Sequence, residues 1–180
     1  MSKFKVIKSD ILFSGKVFDL KVDEIQYDTT GNTGRREVAI HPGGAVVVAV
    51  TDENKIVVVK QFRYPFKESV LELPAGKLDD NEDPQICATR ELTEETGYTA
   101  GKVTKLGHIY TTPGFCNEIL HIYLAENLTP GDHNREEGEE GMEVFEFTID
   151  EIKEKIANGE LVDAKSISGI MMYLNQNSNS

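Results

Sequence analysis

Three glutamates, Glu91, Glu94 and Glu95, recur at spacings of three and four residues. In an α-helix that spacing puts all three carboxylates on one side. Like charges so placed repel by about 0.2–0.5 kcal/mol per exposed pair. With Gly97 closing the helix, they also fall in its last turn, where the macrodipole disfavours anions. A sequence selected for helix stability alone would not put them there. Hard oxygens converging on one spot are what Mg²⁺ or Mn²⁺ needs. A bare Glu-x-x-Glu-Glu is nevertheless most often a solvated acidic face, so the weight falls on the residues around it.

The helix that must present these carboxylates begins at Asp83-Pro84. Asp83 can accept from the free N–H groups of the first turn, and Pro84 suits a position where its missing N–H costs nothing. The segment runs to Thr96, and Gly97 supplies a permissive C′ residue. Upstream the chain reads as β-structure. Val17–Ile25 alternates like a half-buried strand, residues 28–34 are rich in turn formers, and Arg36–Ile40 returns as its partner. Ala45–Val50 and Ile56–Val59 are continuous apolar runs, the pattern of strands buried on both faces. Val70–Leu73 is a shorter strand ending at Pro74. Downstream, strands are expected at Leu106–Thr111, Ile119–Ala125 and Met142–Phe147, with a polar, acidic loop from Asp132 to Glu143. Two helices follow, Ile149–Ala157 capped by Thr148 and one from Asp163 towards Leu174. The tail, residues 175–180, is expected to be disordered.

At 180 residues and a net charge of −12, with a pI near 4.8, the chain can bury one substantial core without disulfides. Its acidity argues against a nucleic-acid or anionic-membrane surface, since both require clustered Lys and Arg. An anionic substrate remains compatible when metal ions or placed cations neutralise it. Cys87 and Cys116 form no CxxC or Cys/His ligand spacing, which fits a reducing, cytoplasmic setting. The N-terminus has no apolar signal core, and no run approaches a membrane span. The acidity is also uneven. Residues 76–98 carry a net −5 and residues 132–143 another −5, so most of the charge sits in two short segments.

Gly76, Glu82, Arg90, Glu91, Glu94, Glu95 and Gly97 reproduce, with every gap kept, the signature that the Nudix hydrolases share. At residue frequencies of roughly 6%, seven such matches arise by chance on the order of 10⁻⁹ per start position. Leu92 fills the aliphatic slot, and Tyr98 stands where the family usually has an aliphatic residue. The resemblance implies an α+β fold, an α/β/α sandwich around a mixed β-sheet with an N-terminal antiparallel β-region. It assigns Glu91 and Glu95 as central metal ligands, Glu94 as a further ligand or a group behind them, and the carbonyl of Ala75 as a backbone ligand. Glu82 and Arg90 are similar to the family's buttressing pair, while Arg90 could equally pair with Glu94 one turn on.

Flanking segments resemble the ADP-ribose pyrophosphatase branch. They are Gln61–Pro65, Leu71–Lys77 and Thr111–Phe115, with Pro113 fifteen residues beyond Tyr98, and the similarity continues through Asn117-Glu118 and Asp163-Ala164-Lys165. The resemblance implies Mg²⁺-dependent hydrolysis of ADP-ribose to AMP and ribose 5-phosphate, with Mn²⁺ as a substitute and two or more ions once substrate is bound. It makes Arg63, Arg36, Glu37, Thr112, Gly114 and Glu118 substrate-contacting candidates. Arg63 also has a bland reading as a surface residue at a strand end, and Arg36 and Glu37 as an exposed strand pair. The general base is expected in the acidic loop, at Glu140 or Glu139 with Glu137 behind them; Gly138 and Gly141 blur the register. His41, His108, His121 and Cys87 receive no functional role, Cys87 being expected to pack against the sheet. The branch further implies a homodimer built through residues 1–42 and a hydrolase domain over 43–174, while the charge balance and the lack of an apolar span leave neither nucleic-acid nor membrane partners expected. The rival readings are another nucleotide-sugar or a dinucleotide as substrate, a non-catalytic ADP-ribose sensor, and a plain acidic structural domain.

Overall fold

The apolar run Ala45–Val50 is central because both of its faces are covered. The computed structural model of the chain describes residues 3–132 and 141–177. It divides into two compact units. One holds the described residues up to Gly43 together with Tyr110–Ile119, and the other holds Gly44–Ile109 and the described residues from Leu120 onwards.

In the first unit, β1 (Phe4–Ser14), β2 (Asp19–Tyr27) and β3 (Thr33–Ile40) form an antiparallel sheet with β2 in the middle. The turn formers at 28–34 act as expected: Gly31 N–H donates to Tyr27 O at 2.8 Å, and Gln26 pairs with Thr33 in register. The stretch 110–119 is stitched to β3 by a parallel bridge between Ala39 and Cys116. Ala39 N–H donates to Phe115 O at 2.8 Å.

The second unit contains β4 (Gly44–Ala49), β5 (Lys55–Arg63), β6 (Glu68–Glu72), β7 (Ala75–Lys77), α1 (Pro84–Thr96), β8 (Tyr98–Tyr110), β9 (Ile119–Pro130), β10 (Glu143–Thr148), α2 (Ile149–Ala157) and α3 (Ala164–Asn177). One sheet runs β7-β4-β9-β8 and is mixed, since β4 is parallel to β9 and antiparallel to β7. A second, β10-β5-β6, is antiparallel. Side chains alternate across β4. Val46 and Val48 join Leu73, Ile122, Ile152, Ile170 and Tyr173 in a core covered by α2 and α3. Ala45, Val47 and Ala49 join Cys87, Ala88 and Leu92 in a core covered by α1. Helices on both faces make this unit an α/β/α sandwich, and the second covered face is why β4 lacks the polar alternation of a one-sided strand.

Helix α1 begins and ends where its local chemistry dictates. Asp83 Oδ1 accepts from Gln85 N–H at 2.8 Å, Pro84 opens the first turn, and Gly97 closes the helix at φ 79°. Helix α2 likewise starts at Thr148, in a reciprocal capping box with Glu151. Several elements exceed their sequence signals, β5 reaching Arg63 and β9 reaching Pro130, and β8 and α3 do so most plainly. β8 starts directly after Gly97 rather than at Leu106, because Thr99–Lys105 takes its strand character from pairing with β9 rather than from its own composition. Helix α3 continues through Asn177, so residues 175–177 of the expected disordered tail are helical.

Gly97 occupies the left-handed region that L-residues enter at a cost of about 1–2 kcal/mol. Gly97→Ala should lower stability by about 1 kcal/mol, read as a shift in the urea midpoint with an unchanged slope.

Candidate active site

The last two turns of α1 bury charge. Leu92, Cys87 and Ala88 turn one face of the helix into the core, and the same rotation carries Glu91 and Glu95 inward. They are only 7% and 2% exposed. Glu91 lies flat on β7: a Cβ built on Gly76 would fall 1.8 Å from Glu91 Oε1. Gly76 is therefore required for space, and any side chain there would displace the carboxylate. Glu95 Oε2 accepts from Ala75 N–H at 3.1 Å, fixing the neighbouring peptide of the same strand.

Arg90 ties the group together. Its Nε and Nη2 fork onto the two oxygens of Glu82, both at 3.0 Å. Its Nη1 donates to Glu91 Oε1 at 2.7 Å and to Glu94 Oε2 at 2.9 Å, so the helical pairing and the loop-to-helix brace coexist. Hydrogen bonding from Arg90 holds the Glu82 carboxyl down at about 2, and the surrounding carboxylates push the Arg90 guanidinium up. Cys87 packs in the core as expected and also turns its thiol to the carbonyls of Gly76 and Lys77, at 3.7 and 3.6 Å. Burial pushes that thiol up to about 12, so it stays protonated and donates.

Three carboxylates thus converge on one guanidinium, and the buried Glu95 stands on the same helix one turn beyond Glu91, a net −3 among these five side chains. Among the described residues, no three His, Cys, Asp or Glu side chains stand close enough to hold a metal ion as placed. Glu91 and Glu94 turn to Arg90 while Glu95 turns to Ala75 N–H. The donor set nonetheless fits a hard divalent cation: carboxylate oxygens at the negative end of a helix, two of them buried, with more negative than positive charge around them.

Arg63 is also engaged. Its Nε and Nη2 both reach Glu72 at 2.6 Å, and Glu72 is 3% exposed. Lys165 contacts the same carboxylate from the start of α3. Burial pushes the Glu72 carboxyl up, but Arg63 and Lys165 together outweigh it and hold it low.

The remaining candidates lie in the first unit. Arg36 donates to the Tyr27 hydroxyl and to Arg35 O, and Glu37 pairs with Arg35 at 3.2 Å. Thr112 O accepts the N–H groups of Phe115 and Cys116, and a Cβ on Gly114 would meet open space. Glu118 Oε1 stands 3.2 Å from His41 Nδ1, a contact invisible in the sequence because 77 positions separate the two residues. A groove of about 440 Å³ in this unit is lined by Phe18, Phe115, Glu37, His41 and Glu118 among others. Glu137, Glu139 and Glu140 lie outside the described residues.

The NUDIX domain family matches residues 41–168, more than half of the chain and including all of α1 and the loop before it. The chain belongs to the Nudix family of hydrolases. It is 46% identical over 167 residues to the ADP-ribose pyrophosphatase of Bacillus subtilis (strain 168), covering 92% of this chain and 90% of that protein. It is 40% identical to the methanol dehydrogenase activator of Bacillus methanolicus, again over 92% and 90%. A solved structure titled as an ADP compounds hydrolase superposes with a TM-score of 0.88 at 16% identity, over 99% of this chain and 96% of that one. At that identity the superposition speaks for the Nudix fold alone.

In this Nudix chain the Glu82–Arg90 fork joins the loop to α1, and its strength depends on pH. The Glu82 carboxyl is depressed from its ordinary 4.5 to about 2. Its contribution to stability is therefore fully present above about pH 4.5 and is lost as pH falls through about 2. Urea unfolding of wild type and Glu82→Gln should differ most near pH 7, and the gap should shrink steadily between pH 4.5 and pH 2.

Proposed function

We propose that this Nudix hydrolase cleaves the diphosphate bond of ADP-ribose, releasing AMP and ribose 5-phosphate. The carrying observation is the set of three carboxylates gathered on Arg90, with the buried Glu95 on the same helix, in a chain 46% identical over 92% of its length to a protein named ADP-ribose pyrophosphatase.

Glu91 and Glu95 would hold Mg²⁺, or Mn²⁺ in its place, with Glu94 a further ligand or a group behind them and the Ala75 carbonyl adding a backbone oxygen. Bound ions, two or more with substrate present, would neutralise the diphosphate and polarise the attacked phosphorus. Arg90 and Glu82 orient the carboxylates, and Gly76 and Gly97 give the strand and helix end the room and the turn they need. Arg63 would meet a phosphate oxygen with its forked donors. It can turn towards substrate without stranding Glu72, because Lys165 reaches the same carboxylate. Arg36, Glu37, Thr112, Gly114 and Glu118 would receive the nucleoside. The groove with Phe18 and Phe115 supports this for Glu37 and Glu118, which line it, since it offers flat apolar walls beside carboxylate acceptors for an exocyclic amine. Glu140 or Glu139, with Glu137 behind them, would take the proton of the attacking water.

Turnover should be assayed with ADP-ribose, ADP-glucose, GDP-mannose, NADH and 8-oxo-dGTP, each with and without Mg²⁺. ADP-ribose should give the highest kcat/KM. Preference for another substrate overturns the specificity, and no Mg²⁺-dependent turnover of any would favour a sensor. Glu95→Gln keeps an oxygen to accept from Ala75 N–H but removes the charge. It should cost more than the roughly 10- to 100-fold that losing an outer partner of a metal site costs, with the unfolding midpoint near wild type. A variant with near-normal rates would remove Glu95 from the metal shell.

The first unit and the cysteines bear on assembly and setting. β1 is an edge strand that exposes Phe4, Val6, Ile7, Ile11, Leu12 and Phe13. A second copy of the chain covering it would make the homodimer that the family resemblance implies. No helix among the described residues is long and apolar enough to cross a membrane, and we place the enzyme in the cytoplasm, where the free thiols Cys87 and Cys116 stay reduced. Light scattering after gel filtration should give about twice the chain mass of 20.0 kDa, and Ile11→Lys combined with Phe13→Lys should shift it to one.

A further inference from the structure

We propose that Ser166 and Asp163, at the start of α3, are positioning residues that set metal affinity from the opposite face of the sheet, by fixing the backbone of Leu73–Ala75. The inference rests on reading Glu91, Glu95 and the Ala75 carbonyl as metal ligands.

The backbone that leads into Ala75 is held at three consecutive residues. Leu73 N–H donates to Ser166 Oγ at 2.7 Å, Pro74 O accepts from Val47 N–H at 2.9 Å, and Ala75 N–H donates to Glu95 Oε2 at 3.1 Å. The second bond comes from the sheet and the third from α1. The first comes from α3, which packs in the other core. It is also the one whose acceptor must be oriented. Ser166 is fully buried, and its hydroxyl can rotate to donate in any direction with a partner. Asp163 removes that freedom. Its Oδ2 lies 2.5 Å from Ser166 Oγ, and a carboxylate can only accept, so the hydroxyl proton points to Asp163. The lone pairs of Oγ are then left for Leu73 N–H. The same Oδ2 accepts from Ser166 N–H at 3.0 Å, which caps α3, and lies 2.9 Å from Lys165 Nζ. Lys165 in turn contacts Glu72, the residue before Leu73.

Side-chain packing makes the coupling stiff. Leu73 is 1% exposed, and α3 approaches it so closely that a Cβ on Gly169 would stand 3.0 Å from Leu73 Cδ1. Without Ser166 Oγ, the Leu73 N–H would be buried with no acceptor, and the strand end would shift or open to recover one. Any shift passes through Pro74 to the peptide that Glu95 grips. Ser166 touches no reacting atom and acts through Leu73 and Ala75.

The test is direct Mn²⁺ binding to the full chain without substrate, by calorimetry and by the Mn²⁺ spin-resonance signal, together with amide exchange at Leu73. Ser166→Ala should weaken Mn²⁺ binding about tenfold, the lower end of what outer partners of metal sites cost, and speed exchange at Leu73. Asp163→Asn keeps an acceptor for Ser166 but loses the charge, and should weaken binding by about threefold; it serves as the deciding variant if Ser166→Ala fails to fold. Ile152→Val, a core change on α2 of comparable loss in urea midpoint, should leave Mn²⁺ affinity within twofold. Wild-type affinity in folded Ser166→Ala or in Asp163→Asn, or an equal loss in Ile152→Val, overturns the inference. Wild-type protein that takes up no Mn²⁺ overturns the metal reading beneath it, an outcome seen before any variant is made.

Discussion

Arg90 is where the site is decided, because one guanidinium is shared among three carboxylates from two parts of the chain. Glu82 arrives from the loop before α1, while Glu91 and Glu94 come from the helix itself. Each acid alone would be ordinary. Together, partly or wholly out of water, they repel at close range in a medium that screens poorly. The fork to Glu82 fixes the plane of the guanidinium, and that leaves Nη1 pointing along the helix at the other two. Lysine could not take this part, since a single ammonium cannot present a rigid fork and a third, divergent donor at once. The loop conformation, the helix position and the orientation of two proposed ligands are thereby one problem with one solution.

The second dependence is the short backbone stretch from Glu72 to Gly76, which both helical layers hold. α1 grips it through Glu95 and the Cys87 thiol, and presses Glu91 onto it; α3 and its preceding turn grip it through Ser166 and Lys165. Two-sided burial of β4 makes this possible. Only a strand with helices on both faces brings an acid from one layer and a hydroxyl from the other to the same three peptides. The sandwich is thus more than a scaffold that carries a box of residues on its surface.

How much of this could be read from the residues follows from the range of each interaction. Helix α1 was legible to the residue, because Asp83, Pro84 and Gly97 each act within their own turn. The covered faces of β4 and β5 were legible because an uninterrupted apolar run of strand length leaves no side for water. The carboxylate cluster was legible from helical periodicity, and the family from the spacing of the residues around it. What stayed hidden was long-range pairing between residue types that are common everywhere. Ser166 and Leu73 lie 93 positions apart, as do Lys165 and Glu72. His41 and Glu118 meet only because the stretch 110–119 bridges to β3. Nothing local marks Ser166 as the serine among its neighbours that points inward. Arg63 shows the limit from the other direction: its forked donors suggested a phosphate, and the fold first offers them Glu72.

Burial also changes what the acidity of residues 76–98 means. Seven acids fall in that segment, and counted as charge they are equivalent. In the fold they separate. Asp79, Asp80 and Asp83 are exposed or half-exposed, so water solvates them and they ask little of the protein. Glu82, Glu91, Glu94 and Glu95 are covered or half-covered, and their hydrogen-bonded partners include a single guanidinium and the peptide N–H groups of Asp79 and Ala75. An arrangement built only to stand still would exchange such acids for apolar side chains of similar size, since buried ions seldom repay their desolvation. The excess negative charge suits a cluster that a cation joins during function. The four covered glutamates, and not the segment's net charge, are therefore the physical case for a metal.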